Sequence, residues 1–211
     1  MKRDSSDTLS ERVYRDILDR LLKRGLRPGD FVDRKKLAGD LEVSLIPVSE
    51  AIQKLTHQGF LYTRPRKGTF VSSPSLEDVR GQQLLREALE CQVARLLCGN
   101  QIREARDTLL PLAEAADATA DAGEPLWRDD YAFHEALVNL AGYEALSRCF
   151  KQISNLSMFY ETAVISPMQQ ASYDRHVTLL NDLADAEPGA AEERMRNHIR
   201  FGKDSLFKAI P

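Results

Sequence analysis

The 211-residue sequence has no run of eighteen apolar residues, so no part of it is long enough to cross a bilayer as a helix. It opens on the polar stretch Met1-Lys2-Arg3-Asp4-Ser5-Ser6-Asp7-Thr8, which lacks the apolar segment of a secretory signal; the expected location is the cytoplasm. Cysteine is scarce. Cys91, Cys98 and Cys149 fall in helical patterns without paired spacing, which argues against a redox or zinc motif and for buried free thiols. No internal repeat or low-complexity tract occurs, no strand pattern follows residue 75, and no sustained heptad marks a coiled coil.

What is present is the composition of a globular protein, 43% hydrophobic and 29% charged, at a length that suits a small module joined to a medium one. The net charge of -3 hides an asymmetry: residues 1–73 carry 15 Lys and Arg against 10 Asp and Glu, and residues 74–211 carry 14 against 22. A positive head on an acidic body suggests that only the head meets a polyanion, although ordinary solvated faces would give the same counts.

Residues 10–24 place Val13, Ile17, Leu21 and Leu22 on one helical face, with Ser10 and Glu11 as a polar start. Arg27-Pro28-Gly29-Asp30 has Pro and Gly in the order of a type II turn. Asp33 is placed to cap a helix over 34–41 and Ser44 a second over 45–58. After Gly59, Phe60 to Arg64 and Thr69 to Val71 flank the turn-rich Pro65-Arg66-Lys67-Gly68 and read as a β-hairpin. Two tightly joined helices followed by a hairpin make a winged helix-turn-helix, with 45–58 as the reader helix in a DNA groove. Beyond the polar linker Ser72-Ser73-Pro74-Ser75, six helices are expected at about 76–99, 101–121, 125–141, 143–164, 167–186 and 189–209, with Pro125, Pro167 and Pro188 in first turns. The expected fold is mainly α: a winged helix-turn-helix over 1–73 and an all-helical bundle over 74–211.

The head resembles the winged-helix domain of the GntR family in Arg27-Pro28-Gly29-Asp30, Leu37-Ala38, Val43-Ser44-x-x-Pro47-Val48-x-Glu50-Ala51, Leu55, Gly59-Phe60-Leu61 and Pro65-x-x-Gly68-x-x-Val71. It departs from that family where many members have Arg after the cap Ser and again before Glu-Ala; Leu45 and Ser49 stand there, which predicts an altered operator. Ile46, Ser49 and Gln53 are candidates to face bases, the apolar side chains offering contact to thymine methyls. Ser44 at the cap and Lys35, Lys36, Lys54, Arg64, Arg66, Lys67 and Gly68 are candidate backbone contacts. Each of these charges serves equally as plain surface, and His57 has no assigned role.

In the C-terminal part, Asp130 and His134 are four residues apart on a face shared with Leu126, Phe133, Leu137 and Ala141. His176 shares a stripe with Tyr173, Val177, Leu180 and Ala184, and His198 shares one with Ala191, Met195, Gly202 and Leu206. Buried ionisable groups need partners, and these four would satisfy one another around a divalent cation, although a single core histidine is more often only hydrogen-bonded. The segment resembles the FCD ligand-binding domain of the FadR/VanR branch of GntR regulators, in which an Asp-x-x-x-His helix and two later histidines bind metal and Arg86-Glu87-x-Leu89-Glu90 opens the domain. The resemblance implies a metal on Asp130, His134, His176 and His198, for which zinc is the first choice and nickel and manganese are reasonable, and a carboxylate effector anchored by Arg86. An ion pair from Arg86 to Glu90 explains the same arginine without an effector.

The expected function is a homodimeric, ligand-responsive regulator, a repressor, on double-stranded operator DNA, with no membrane role. Two other readings stay open. One is a DNA-binding protein whose helical domain only dimerises; the other is a helical metal-dependent hydrolase, against which Glu135 next to His134 points to another helix face.

Overall fold

The computed structural model describes residues 8–121, 127–164 and 175–201. It divides into two compact units, Met1–Ser75 with Phe159–Ala163, and Leu76–Met158 with Val164–Pro211.

In the first unit, α1 (Leu9–Leu22) buries Val13, Ile17, Leu18 and Leu21 on one face. Its cap is Thr8, whose hydroxyl accepts from the Glu11 amide, rather than Ser10; Ser10 lies inside the first turn, where its hydroxyl donates to Glu50. The chain then turns over Arg27–Asp30. Asp30 N–H donates to Arg27 O at 3.0 Å and Gly29 sits at φ 87°, the left-handed value that a type II turn needs at its third position. Asp33 caps α2 (Arg34–Asp40) by accepting from the Lys35 and Lys36 amides. Ser44 occupies the cap position of α3 (Leu45–His57) but makes no side-chain capping bond. α3 packs on α1 and α2 through Val48, Ala51, Ile52 and Leu55, each at most 1% exposed.

The hairpin pairs β1 (Leu61–Arg64) with β2 (Gly68–Val71), Leu61 opposite Val71 and Arg64 opposite Gly68. Phe31 adds an antiparallel bridge to Phe70, and its ring meets the Phe70 ring edge-on at 5.6 Å. The wing is thereby tied to the turn before α2.

From Leu76 onward all regular elements among the described residues are helices: α4 (Leu76–Leu97), α5 (Asn100–Glu104), α6 (Arg106–Asp121), α7 (Trp127–Leu140), α8 (Glu144–Val164, whose Phe159–Ala163 stretch groups with the first unit), α9 (His176–Asp185) and α10 (Pro188–Arg200). The expected helix over 101–121 is two, because the ladder is interrupted at Ala105, whose carbonyl accepts from both the Thr108 and Leu109 amides. Pro188 starts α10 as expected, whereas Pro125 and Pro167 lie outside the described residues. α4 packs on α10, and α6 on α7 and α9. The core between them includes Val93, Leu97, Phe133, Leu137, Leu179 and Met195, all nearly or fully buried. No described helix is long and apolar enough to cross a membrane. The cysteines are unpaired, but only Cys91 is buried; Cys98 is half-buried and Cys149 is exposed, since it falls on the outer face of α8.

Candidate functional site

α7 carries Asp130 and His134 one turn apart, α9 begins at His176, and the last turn of α10 carries His198. Each offers one ligand atom, and these four atoms all lie within 4.8 Å of one another. His134 Nε2 is 3.2 Å from His198 Nε2, His176 Nε2 is 3.2 Å from Asp130 Oδ1, and His134 Nε2 is 3.8 Å from the same oxygen. The imidazoles are buried, and Phe133 meets the rings of His134 and His176 edge-on at 5.3 and 5.2 Å. Only Asp130 opens to solvent, its side chain 29% exposed. Leu126, Tyr173, Gly202 and Leu206 lie outside the described residues; Phe133, Leu137, Leu180, Ala184, Ala191 and Met195 are buried, as an inward face requires.

Two carboxylates stand behind the histidines: Glu90, read from sequence only as a partner of Arg86, and Asp117, which sequence reasoning missed. Glu90 on α4, 1% exposed, meets His134 Nδ1 through Oε2 and accepts from Arg86 Nε through Oε1 at 2.6 Å. Asp117 on α6 meets His176 Nδ1 at 3.1 Å through Oδ1, which also accepts from the His176 amide at 2.8 Å, while Oδ2 accepts from the Val177 amide at 3.3 Å. The Asp117 hydrogen bond at His176 Nδ1 favours the tautomer whose Nε2 lone pair faces the cluster, and Glu90 stands at the corresponding position beside His134 Nδ1.

Electrostatics favour positive charge at this point. Burial works against the Glu90 carboxylate, but Arg86 and His134 outweigh it and bring its pKa down to about 2. Asp130 is likewise held well below the ordinary range despite desolvation, by Arg86 and the two flanking histidines. Burial lowers the His176 pKa, yet hydrogen bonds to Asp130 and Asp117 prevail and raise it. Three carboxylates and one guanidinium meet at these histidines, and the surplus negative charge suits either protonated imidazoles or a divalent cation. The O,N,N,N donor set thus fits such an ion, with His134, His176, His198 and Asp130 as the residues to hold it.

Arg86 forms the expected ion pair with Glu90 and also reaches Asp130 Oδ2 at 3.4 Å, the oxygen turned away from the histidines. Glu135 receives the Tyr131 hydroxyl and Lys151 Nζ, each at 3.1 Å.

In the head, Ile46 is 69% exposed and Leu45 47%; Gln53 is exposed and Ser49 half-buried. Lys35, Lys36, Arg64, Arg66 and Lys67 are exposed. Lys54 has a partner within the head: its Nζ is 2.8 Å from Glu11 Oε1 and lies over the Tyr14 ring. Glu11 is 43 positions earlier, so sequence alone did not disclose this pair. Gly68, expected near the DNA backbone, packs against the Phe31 ring.

Known proteins are similar to this chain over most of its length. At 30% identity it aligns with the Nta operon transcriptional regulator of Aminobacter aminovorans, over 87% of this chain and 88% of that one. At 25% it aligns with the HTH-type transcriptional repressor RspR of Escherichia coli, over 94% and 89%. Among solved structures, a GntR regulator from Rhodococcus superposes with a TM-score of 0.68 at 20% identity, covering 96% of this chain and 99% of that one. Escherichia coli McbR/YncC gives 0.69 at 19% identity, covering 96% and 98%. The model for bacterial regulatory proteins of the gntR family matches residues 9–71. The FCD domain model matches 83–201, more than half of the chain, and the protein therefore belongs to the gntR family of bacterial regulatory proteins, with an FCD domain as its C-terminal part.

Proposed function

We propose that this DNA-binding transcriptional regulator, a repressor, holds a divalent cation in its FCD domain and that a small carboxylate bound beside the cation changes its hold on operator DNA. GntR regulators bind operator DNA and FCD domains bind small effectors; the repressor assignment follows the name of the Escherichia coli relative. The metal reading rests on one observation, the convergence of Asp130, His134, His176 and His198 from three helices with ligand atoms within 4.8 Å. Zinc is the first choice, with nickel and manganese compatible with the donor set. When bound, the cation supplies a Lewis-acidic point for an oxygen ligand.

Asp130 is the one solvent-facing ligand of the four, and Arg86 lies against its outer oxygen. An incoming carboxylate would therefore meet Arg86 on that side and compete with Asp130 for its guanidinium. In a dimer, two reader helices meet half-sites about 34 Å apart or closer, so a small change in how the heads are held alters binding. A ligand that favours one of two such states by about 1–3 kcal/mol shifts affinity roughly 5- to 150-fold.

Elemental analysis of protein purified without a histidine tag tests the cation. Operator binding, measured with and without organic acids and before and after chelation, tests the coupling. Near-stoichiometric metal, lost in His176→Ala and His198→Ala, with acid-dependent DNA affinity, is the expected result. Metal-free protein whose DNA affinity ignores both chelator and acids would overturn the reading.

A further inference from the structure

We infer that the protein recognises thymine methyl groups in its operator through Leu45 and Ile46, on the first turn of α3. This rests on the DNA-binding reading and adds what the reader looks for.

The inner face of α3 is already filled: Val48, Ala51, Ile52 and Leu55 are at most 1% exposed. Leu45 and Ile46 nevertheless stand in water at 47% and 69% exposure, adjacent, on the helix that the fold presents to DNA. An isolated exposed leucine means little, but two large apolar residues side by side on a working surface ask for an apolar partner.

The rest of the exposed face excludes the commonest alternative. α3 contains no arginine, the residue that reads guanine through O6 and N7. Its one lysine is ion-paired to Glu11 and stacked over Tyr14, and Glu50 takes a hydrogen bond from Ser10. Outside α3 the head carries further exposed positive charge, including Lys35 and Lys36 of α2 and Arg66 and Lys67 of the wing, where it suits phosphates. An uncharged apolar tip with basic neighbours in the same unit matches a major groove whose walls are anionic and whose one apolar feature is the thymine C5 methyl. Gln53, exposed two turns along, is suited to the adenine edge. Burying one methyl group in this way changes affinity about fourfold.

The experiment selects duplexes bound by the full-length protein from a random pool, then replaces each thymine of the selected site singly by uracil. That change removes the methyl and keeps the base pair and the phosphates. Expected are one or two thymines per half-site at which uracil weakens binding about fourfold, with no such loss in the Leu45→Ala, Ile46→Ala double variant. Lys67→Ala should weaken thymine and uracil sites alike. Both apolar residues are exposed, so an unchanged melting curve is expected to show that the double variant is folded. Uracil without effect, a thymine preference surviving the double alanine change, or guanine required under α3 would each overturn the inference. So would a double variant with normal DNA binding and altered oligomeric state, since a protein partner would then own the tip. A protein that enriches no duplex fails the DNA-binding reading itself, and this inference with it.

Discussion

Gly68 sits at φ 106°, in the region L side chains rarely adopt, and a Cβ there would collide with Cε2 of Phe31. Two separate causes therefore make Gly68→Ala costly. The expected loss is about 1–3 kcal/mol, measured by urea unfolding, with the wing the first part to loosen. The cysteines make a second contrast between neighbours in type. Burial, with further acidic neighbours, pushes the Cys91 thiol up to about 11 although Arg196 pulls it down, whereas Cys149 is exposed on α8. A thiol reagent at pH 8 should modify Cys149 rapidly and Cys91 only on unfolding. Cys149→Ser should remove the fast phase; a fast phase that survives it would assign the reactivity elsewhere. Sequence pattern misplaced Cys149 because a helical period identifies faces but not which of them a neighbouring helix covers.

At the scale of elements, Asp130 and His134 were legible because a four-residue spacing beside Phe133 and Leu137 fixes one inward face on one helix. Glu90 and Asp117 were not, because each supports a histidine on another helix; Asp117 acts 59 positions away from His176. The spacing to Arg86 picks out Glu90 as an ion-pair partner but not as a partner of His134, and nothing local distinguishes Asp117 from an ordinary helix-surface carboxylate. Ser10 and Glu11 do lie in the polar first turn of α1, but neither the cap, Thr8, nor the hydrogen bond from the Ser10 hydroxyl to Glu50 on α3 was legible there. Loss of a carboxylate behind a ligating histidine commonly weakens metal binding 10- to 100-fold. Glu90→Gln and Asp117→Asn are each expected to do so by competition with a chromophoric chelator while the helical content stays unchanged. If both bind metal as wild type does, the carboxylates only fill space. Asp117 has a further task, since α9 has no cap from Arg175 and Asp117 accepts from its first two amides instead. Added zinc should therefore slow hydrogen exchange at those amides in the wild type more than in Asp117→Asn.

For the molecule as a whole, the winged head and the helical body could be read from turn residues and periodicity, and the charge asymmetry already separated them. The proposed pairing of two chains has no such mark in the sequence, because a dimer needs only a few outward side chains. On α4, Leu85 and Leu96 are exposed at 51% and 45%, eleven residues or three turns apart on one stripe that also presents the exposed Ala88 and Gln92. This stripe supports the proposed dimer, and Leu85→Asp with Leu96→Asp is expected to give monomers in sedimentation and to weaken operator binding by at least tenfold. An unchanged sedimentation coefficient would place the contact on another face. The solvent-facing position of Asp130 also bears on how long a cation stays. His134, His176 and His198 are buried while Asp130 is partly exposed, so in the proposed complex a cation would exchange past Asp130, and a carboxylate seated against Arg86 would stand in its way. Effector and cation would then detain one another: a strong chelator should strip metal from the saturated regulator several times more slowly than from the unliganded one, a delay set by traffic rather than by bond strength.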